Sequence, residues 1–395
     1  MSGVMMPGRT VRVRRAASGR RRPPLRRAAV GVALALLAPA ISSGSAAAAA
    51  PTLGGWDAPQ QREVAKAGLM HDVGASFDGA AALTATQADA AMSALAQRLQ
   101  DAAGESGSTE LPGEAGGEDS LSGTEAASAS AGGASAAIPV VRTAETPVTV
   151  VTFDRMVEEQ LGLREVAAHV QAVAQSVGLR PPSYFGSEVA ARFLELRYDH
   201  PAGSDRLELF PTDPITRAEA AWSLSRVLHF GSWNVTDARE TLSSFELPRM
   251  SAAQLQALQI AVSRIGYPYV WGGTTDNTAD GLEHGGFDCS GFVWRVFKIS
   301  GLPWGNEIKG RTAAEQAGEI PLSERLRANQ LEPGDLLFFG PAHFNSKATE
   351  KSIVHEGIYL GENWVIHSSS QGVYVLPLKG SWLGSSFAWG RRVIH

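Results

Sequence analysis

The sequence predicts an all-α region followed by an α+β domain. Three observations predict this order. Apolar side chains recur at helical spacing before residue 248, and a polar, small-residue segment interrupts them. After about residue 250, two helical segments precede five short apolar segments bounded by turn residues. Helices followed by strands favour an antiparallel sheet covered by helices, and 395 residues are enough for more than one domain.

The first 50 residues have the composition of a secretory signal peptide. Nine arginines precede Ala28, residues 28–41 are apolar, and residues 42–50 are mostly small. An uncleaved anchor or a basic nucleic-acid-binding arm are the alternative interpretations. We expect a secreted protein, extracellular or associated with the cell wall after cleavage, and no membrane span in the mature chain, because no other segment is long and apolar enough.

Charge and cysteine content exclude several classes of function. The whole chain has a formal charge of −5, and without the nine N-terminal arginines it would be −14, which argues against nucleic-acid binding. Cys289 is the only cysteine, so an intrachain disulfide and a cysteine-cluster metal site are both excluded. An unpaired thiol in a secreted protein is either a buried inert residue or a reactive one.

Residues 51–248 divide into two helical parts and a linker. Residues 51–100 are predicted as two helices, the second opening at Thr84. Residues 101–146 are predicted as a disordered acidic linker, because residues 101–138 hold seven acids and no Lys, Arg or aromatic residue; a weak helix is the alternative. Residues 147–248 are again helical, with one helix opening at 151–152 and another at Thr216, where Glu219 completes a capping box.

These helical units resemble the repeats of the surface-layer homology (SLH) family. The family motif Ile-Thr-Arg-Ala-Glu is intact only at residues 215–219, and the segments beginning at Leu83 and Val151 lack its arginine. The resemblance implies an all-α SLH-like repeat domain that binds secondary cell-wall polysaccharide. A helical spacer without a ligand is the alternative.

Residues 249–395 are predicted as a separate domain that contains the chemistry. Cys289 opens a helix, whose N-terminal N–H groups and partial positive charge are expected to favour the thiolate. A thiolate nucleophile needs a base, and that base needs a partner to orient it. His355 and His367 are the candidates, because they lie on two predicted strands joined by a short turn. The predicted strands are residues 335–339, 354–360, 364–367, 373–376 and 387–394.

Six motifs in residues 257–394 resemble the NlpC/P60 cell-wall peptidases. They are residues 269–273, 288–293, 311–316, 334–339, 355–361 and 366–367. The resemblance implies a papain-like domain that hydrolyses peptidoglycan stem peptides between D-γ-glutamate and a diamino acid, with no metal or organic cofactor. It also implies site roles: nucleophile Cys289, base His355, orienting residue His367, and substrate-side residues Tyr269, Asp288 and Ser290.

Some of these assignments have alternatives, and the sequence departs from the family pattern at two places. Tyr269 can instead serve packing, and Asp288 can simply cap the helix that carries Cys289. Glu356 replaces a small apolar residue usual in the family, and residues 340–354 form a longer segment than expected, containing His343 as a rival base. The same residues also suit an amidase or acyl transferase, and a wall-binding protein with an auxiliary catalytic domain is a further alternative.

Overall fold

The computed structural model describes residues 55–70, 77–107, 145–201, 204–276 and 285–395. The predicted signal peptide and most of the predicted linker lie outside these residues. Within them, no helix combines the length and the apolar character needed to cross a membrane.

Residues 55–243, where described, form helices. Apolar stripes are buried on each of them; α4, for example, buries Val166, Val170 and Ala174. The helices are α1 (Ala58–Lys66), α2 (Ala85–Gly107), α3 (Val150–Gln160), α4 (Arg164–Ser176), α5 (Phe185–Phe193), α6 (Arg217–Leu228) and α7 (Ser232–Ser243). The helix α2 continues to Gly107, so residues 101–107, which were predicted as the start of the linker, are helical.

Three chain segments meet in a cyclic set of backbone hydrogen bonds, which we call the three-segment ring. The N–H of Leu83 donates to the carbonyl of Ile215, that of Ile215 to Val148, and that of Val148 to Leu83, each at 2.9 Å. All three side chains are buried. The ring therefore joins the starts of α2, α3 and α6 in one place.

A threonine follows each ring position and caps the next helix. Thr84, Thr149 and Thr216 each accept a hydrogen bond from the N–H three residues later. The opening of α3 was predicted at residues 151–152, and the helix begins one residue earlier, at Val150. Thr149 is the extended residue that caps the helix, whereas Thr152 already lies within its first turn.

Residues 249–395 form a five-stranded antiparallel sheet with helices packed on it. This confirms the α+β prediction for the C-terminal part. The sheet order is β6-β5-β4-β3-β7. The elements are α8 (Ala252–Val262), β1 (Thr274–Thr275), β2 (Gly286–Phe287), α9 (Cys289–Ile299), α10 (Ala313–Ala317), β3 (Leu336–Phe339), β4 (His355–Gly361), β5 (Trp364–Ser369), β6 (Gly372–Pro377), α11 (Trp382–Ser386) and β7 (Phe387–Arg391).

The two faces of the sheet carry different residues. Strand register pairs Phe338 with Glu356 and Phe339 with His355. Because side chains alternate along a strand, Glu356 shares a face with Phe338 and Ile358, whose side chains join the core that includes α9. His355 points to the opposite face, where a smaller apolar cluster lies. Successive residues of β4 thus serve opposite sides of the sheet.

The helical region packs directly against the C-terminal domain. The rings of Phe245 and Trp364 lie 4.8 Å apart, and Arg192 donates to the carbonyl of Gly266 at 3.2 Å. A single buried apolar cluster extends through both regions. The helical residues therefore stabilise the backbone that leads to Tyr269.

Candidate active site

The N-terminus of α9 is capped by Asp288. Its carboxylate accepts from the N–H of Gly291 at 2.6 Å and its carbonyl from the N–H of Phe292 at 2.9 Å, while its own N–H donates to Gly273. A helix leaves its first N–H groups without intrahelical partners. Here these contacts leave the N–H groups of Cys289 and Ser290 as the pair that the capping does not use.

Arg311 holds the Asp288 carboxylate from the side. Its guanidinium donates to both carboxylate oxygens, at 3.0 and 2.8 Å, and to the Ser290 hydroxyl at 3.0 Å. Ser290 in turn donates to Asp288 at 3.1 Å and is buried. Of the two roles considered for Asp288, helix capping is the one that these contacts display. Arg311 was absent from the predicted site, although its motif at 311–316 was recognised.

The thiol of Cys289 lies beside the first residues of β4. The backbone N–H groups of Glu356 and Ser290 face the sulfur and favour its thiolate form. Burial, followed by the charges of Glu356 and Asp288, nevertheless raises the pKa of Cys289 to about 12. The sequence argument considered only the helix N-terminus, which favours the thiolate, whereas burial in the folded chain opposes it.

The two histidines form a hydrogen-bonded pair. Nε2 of His355 and Nδ1 of His367 are 2.9 Å apart. This contact occupies Nε2 of His355 and leaves its Nδ1 outside the pair. In the part of the chain that the structure describes, Cys289 has no hydrogen bond to either imidazole, as is common before substrate binds.

Both imidazoles are held in the neutral form. Burial lowers the pKa of His355 to about 3, and burial together with His355 lowers that of His367 well below its usual range. The ring of Trp382 lies 5.2 Å from His355 and 5.8 Å from His367, and Tyr374 lies 4.4 Å from His367. Trp382 thus shields the pair from water, and nothing in the sequence pattern indicated it.

Tyr269 lies near the thiol. It bridges to Phe287, two residues before Cys289. Burial, followed by the charges of Cys289 and Asp288, raises the pKa of its phenol above the usual value. The tyrosine therefore stays a neutral hydroxyl.

Residues 340–354 are tied to the domain by Arg325. This buried arginine donates to the carbonyl of Phe344 at 2.9 Å and to Glu350 at 2.5 Å, and it stacks on Trp389. His343 is exposed on this segment, whereas His355 is paired and buried. The arrangement favours His355 over His343 as the base.

The assembled groups suit nucleophilic acyl chemistry. Such a reaction requires a thiol at a helix start, an N–H group that the helix cap does not use, and an imidazole oriented by a second imidazole. Among the residues that the structure describes, no cluster of three or more His, Cys, Asp or Glu is placed to hold a metal ion.

Comparison with known proteins identifies the C-terminal domain. Residues 266–392 match the model of the NlpC/P60 family. A bifunctional muramidase/DL-endopeptidase of Bacillus subtilis is 34% identical over 127 residues, which are 32% of this chain and 32% of that protein. A gamma-D-glutamyl-L-lysine dipeptidyl-peptidase of the same organism is 31% identical over 29% of this chain and 32% of its own length.

Solved structures are also similar to part of this chain. An NlpC/P60 family protein from Bacillus cereus is 25% identical, with 38% of this chain and 43% of that chain covered and a TM-score of 0.29. The chain spans about a third of the length of the two Bacillus subtilis relatives. The matches therefore concern the C-terminal domain rather than the whole protein.

Proposed function

We propose that the NlpC/P60 domain at residues 266–392 is a cysteine endopeptidase that hydrolyses peptidoglycan stem peptides. The thiol at the start of α9 and the hydrogen-bonded pair of His355 and His367 together carry this proposal. The printed names of the relatives, a DL-endopeptidase and a gamma-D-glutamyl-L-lysine dipeptidyl-peptidase, support this substrate class. The bond between D-γ-glutamate and the diamino acid is the expected point of cleavage.

The first chemical step would be proton transfer followed by attack. Nδ1 of His355 accepts the thiol proton while its Nε2–H donates to Nδ1 of His367, a tautomer that stays unchanged when His355 becomes charged. His367 then carries its own proton on Nε2, an atom without a partner among the described residues. The sulfur attacks the amide carbonyl carbon and forms a tetrahedral intermediate.

The N–H group of Cys289, which takes no part in capping the helix, would stabilise the negative oxygen of that intermediate. The imidazolium of His355 then protonates the leaving amine, the carbon–nitrogen bond breaks, and a thioester to Cys289 remains. His355 next removes a proton from water, whose oxygen attacks the thioester and releases the carboxylic acid and the thiol. Protons and electrons balance without a metal or organic cofactor.

Digestion of purified peptidoglycan tests the proposal. The chain without its predicted signal peptide should release peptide fragments, and the Cys289→Ala variant should release none above background. Lys309→Ala, which changes an exposed residue outside these contacts, serves as the matched control. Equal release by the wild type and the Cys289→Ala variant would refute a cysteine hydrolase.

Mass spectrometry of products from defined muropeptides separates the related reactions. A new N-terminus on the diamino acid indicates the proposed endopeptidase, whereas cleavage between muramic acid and L-alanine indicates an amidase. Transfer to an added amine in preference to water indicates an acyl transferase. Only the first product supports the proposed bond.

We also propose that the protein acts outside the cytoplasm and that its helical region contributes to wall binding. The basic and apolar pattern of residues 1–41 supports export, and the intact motif at residues 215–219 supports an SLH-like unit. Arg217 of that motif stacks on Phe77 at 4.5 Å, so its cation already has an aromatic contact. Sedimentation of the Cys289→Ala chain with walls, before and after removal of secondary polysaccharide, tests the binding.

A further inference from the structure

Glu356 is a fully buried acid that lies close to both His355 and Cys289. It directly follows His355 on β4, but its side chain enters the opposite face of the sheet, toward α9. Its exposed fraction is zero, and neither carboxyl oxygen has a hydrogen-bond partner among the described residues. An ionised carboxylate in such a place is strongly destabilised.

Charged groups surround Glu356 without pairing with it. Arg311 directs its donors to Asp288, Ser290 and Gly273. Arg391 directs its donors to Glu319 and to backbone carbonyls. From β3 and β5, the side chains on this face are uncharged. The charged or titratable groups that face Glu356 are Asp288 and Cys289 of α9, Glu319 after α10, Arg311 before α10, and Arg391 of β7.

The formal charges of Arg311 and Arg391 cancel those of Asp288 and Glu319. The remaining titratable groups are then Glu356 and Cys289, and they are close, because the backbone N–H of Glu356 faces the sulfur of Cys289. Two negative charges this close in a low-dielectric interior repel strongly. The buried site therefore accommodates one new negative charge far more easily than two.

We propose that Glu356 is a positioning residue whose carboxyl proton controls ionisation of the Cys289 thiol. While Glu356 is protonated, the thiol proton can pass to Nδ1 of His355 and the reactive thiolate forms. When Glu356 ionises, its charge opposes that transfer. This inference rests on the proposed role of Cys289 as nucleophile, and it predicts that ionisation of Glu356 holds back formation of the thiolate.

The electrostatics of the site agree with this coupling. Burial, together with Asp288, raises the pKa of Glu356 well above its usual range, so the carboxyl stays protonated into a pH range where exposed glutamates are charged. Among the charged neighbours of the thiol, Glu356 raises its pKa the most. Groups coupled in this way titrate as a pair rather than singly.

Alkylation of the thiol by iodoacetamide tests the proposal without any substrate. Cys289 is the only cysteine, so mass increase of the full chain reports its reactivity alone. The comparison is between the wild type and Glu356→Gln, which keeps the shape and removes the charge. Glu362→Gln is the matched control, because Glu362 is exposed just beyond the other end of β4.

We expect wild type and Glu356→Gln to react at similar rates near the acidic end, where both side chains are neutral. As the pH rises through the ionisation of Glu356, the Glu356→Gln variant should become roughly tenfold faster than the wild type, which corresponds to about one unit in the pKa of the thiol. Glu362→Gln should follow the wild type throughout. A constant ratio of rates across pH, or a slower Glu356→Gln at alkaline pH, would overturn the proposal.

A purely structural role for Glu356 gives a different result. Circular dichroism and thermal unfolding of each variant show whether the fold is intact, and Glu356→Val adds a second neutral residue without polar atoms. If Glu356→Gln and Glu356→Val both show the alkaline gain, the charge is responsible. The alkylation result stands even if peptidoglycan is not the substrate, so failure of the proposed function and failure of this inference remain separate outcomes.

Discussion

Replacement of Asp288 by alanine should destabilise the domain by about 2–3 kcal/mol. Loss of the N-cap hydrogen bond to Gly291 costs about 1 kcal/mol. Loss of the hydrogen bond from the N–H of Gly272, at 3.0 Å, costs about 1 kcal/mol more. The pair with Arg311 is partly exposed, with side-chain exposures of 38% for Arg311 and 12% for Asp288, so it adds only about 0.2–1 kcal/mol.

Two companion variants separate these contributions. Asp288→Asn retains one oxygen that can cap α9, but its amide NH2 cannot accept from the N–H of Gly272 and the charge is lost, so it should cost about 1–2 kcal/mol. Ser251→Ala on α8 removes a cap that has no ion pair, and it should also cost about 1 kcal/mol.

Urea unfolding followed by tryptophan fluorescence measures each free energy of unfolding, and peptidoglycan digestion measures activity. Asp288→Ala should also lower activity, because the start of α9 carries both the thiol and the backbone N–H of Cys289. If Asp288→Ala is no less stable than Asp288→Asn, the reasoning about the cap is wrong.

Three further changes test other parts of the structure. His367→Phe should fill the space beside Trp382 but cannot hydrogen-bond, and initial rates of digestion should fall roughly a hundredfold; an unchanged rate would contradict the orienting role. Gly357→Ala places a Cβ 2.9 Å from Val365 and 3.0 Å from the Cβ of His367, so thermal unfolding should show a loss of about 1–3 kcal/mol and activity should fall with it. Burial raises the pKa of Glu158 from 4.5 to about 8, so its contribution to stability is full below pH 4.5 and is lost as the pH rises to about 8. Glu158→Gln should flatten the fall in melting temperature between these pH values, and equal slopes would exclude the effect.

The strands of the C-terminal domain were predictable because their signals are local. Apolar runs bounded by Gly, Pro and Asn place β3 to β7 within a few residues of their observed limits. The pairing of His355 with His367 also follows from sequence, because a short turn joins β4 to β5 and fixes which residues are neighbours. Such features need no knowledge of distant contacts.

Features that depend on distant contacts could not be predicted. Arg311 meets Asp288 only because α10 packs near the start of α9, and Trp382 covers the histidines from a separate helix. The raised pKa of Cys289 arises from burial and from Glu356, a residue 67 positions away along the chain. Helix-end electrostatics are visible in a sequence, whereas desolvation is a property of the packed state.

The three-segment ring also determines an order of events during synthesis. The N–H of Val148 can donate to the carbonyl of Leu83 early, but the ring closes only after Ile215 has been synthesised. The entropy of loop closure is lost before long-range packing can stabilise the fold. The starts of α2 and α3 therefore reach their final contacts only after a segment that is synthesised much later. The helical region is therefore completed shortly before the catalytic domain emerges, and the folded helices offer that domain the surface around Phe245 on which Trp364 packs.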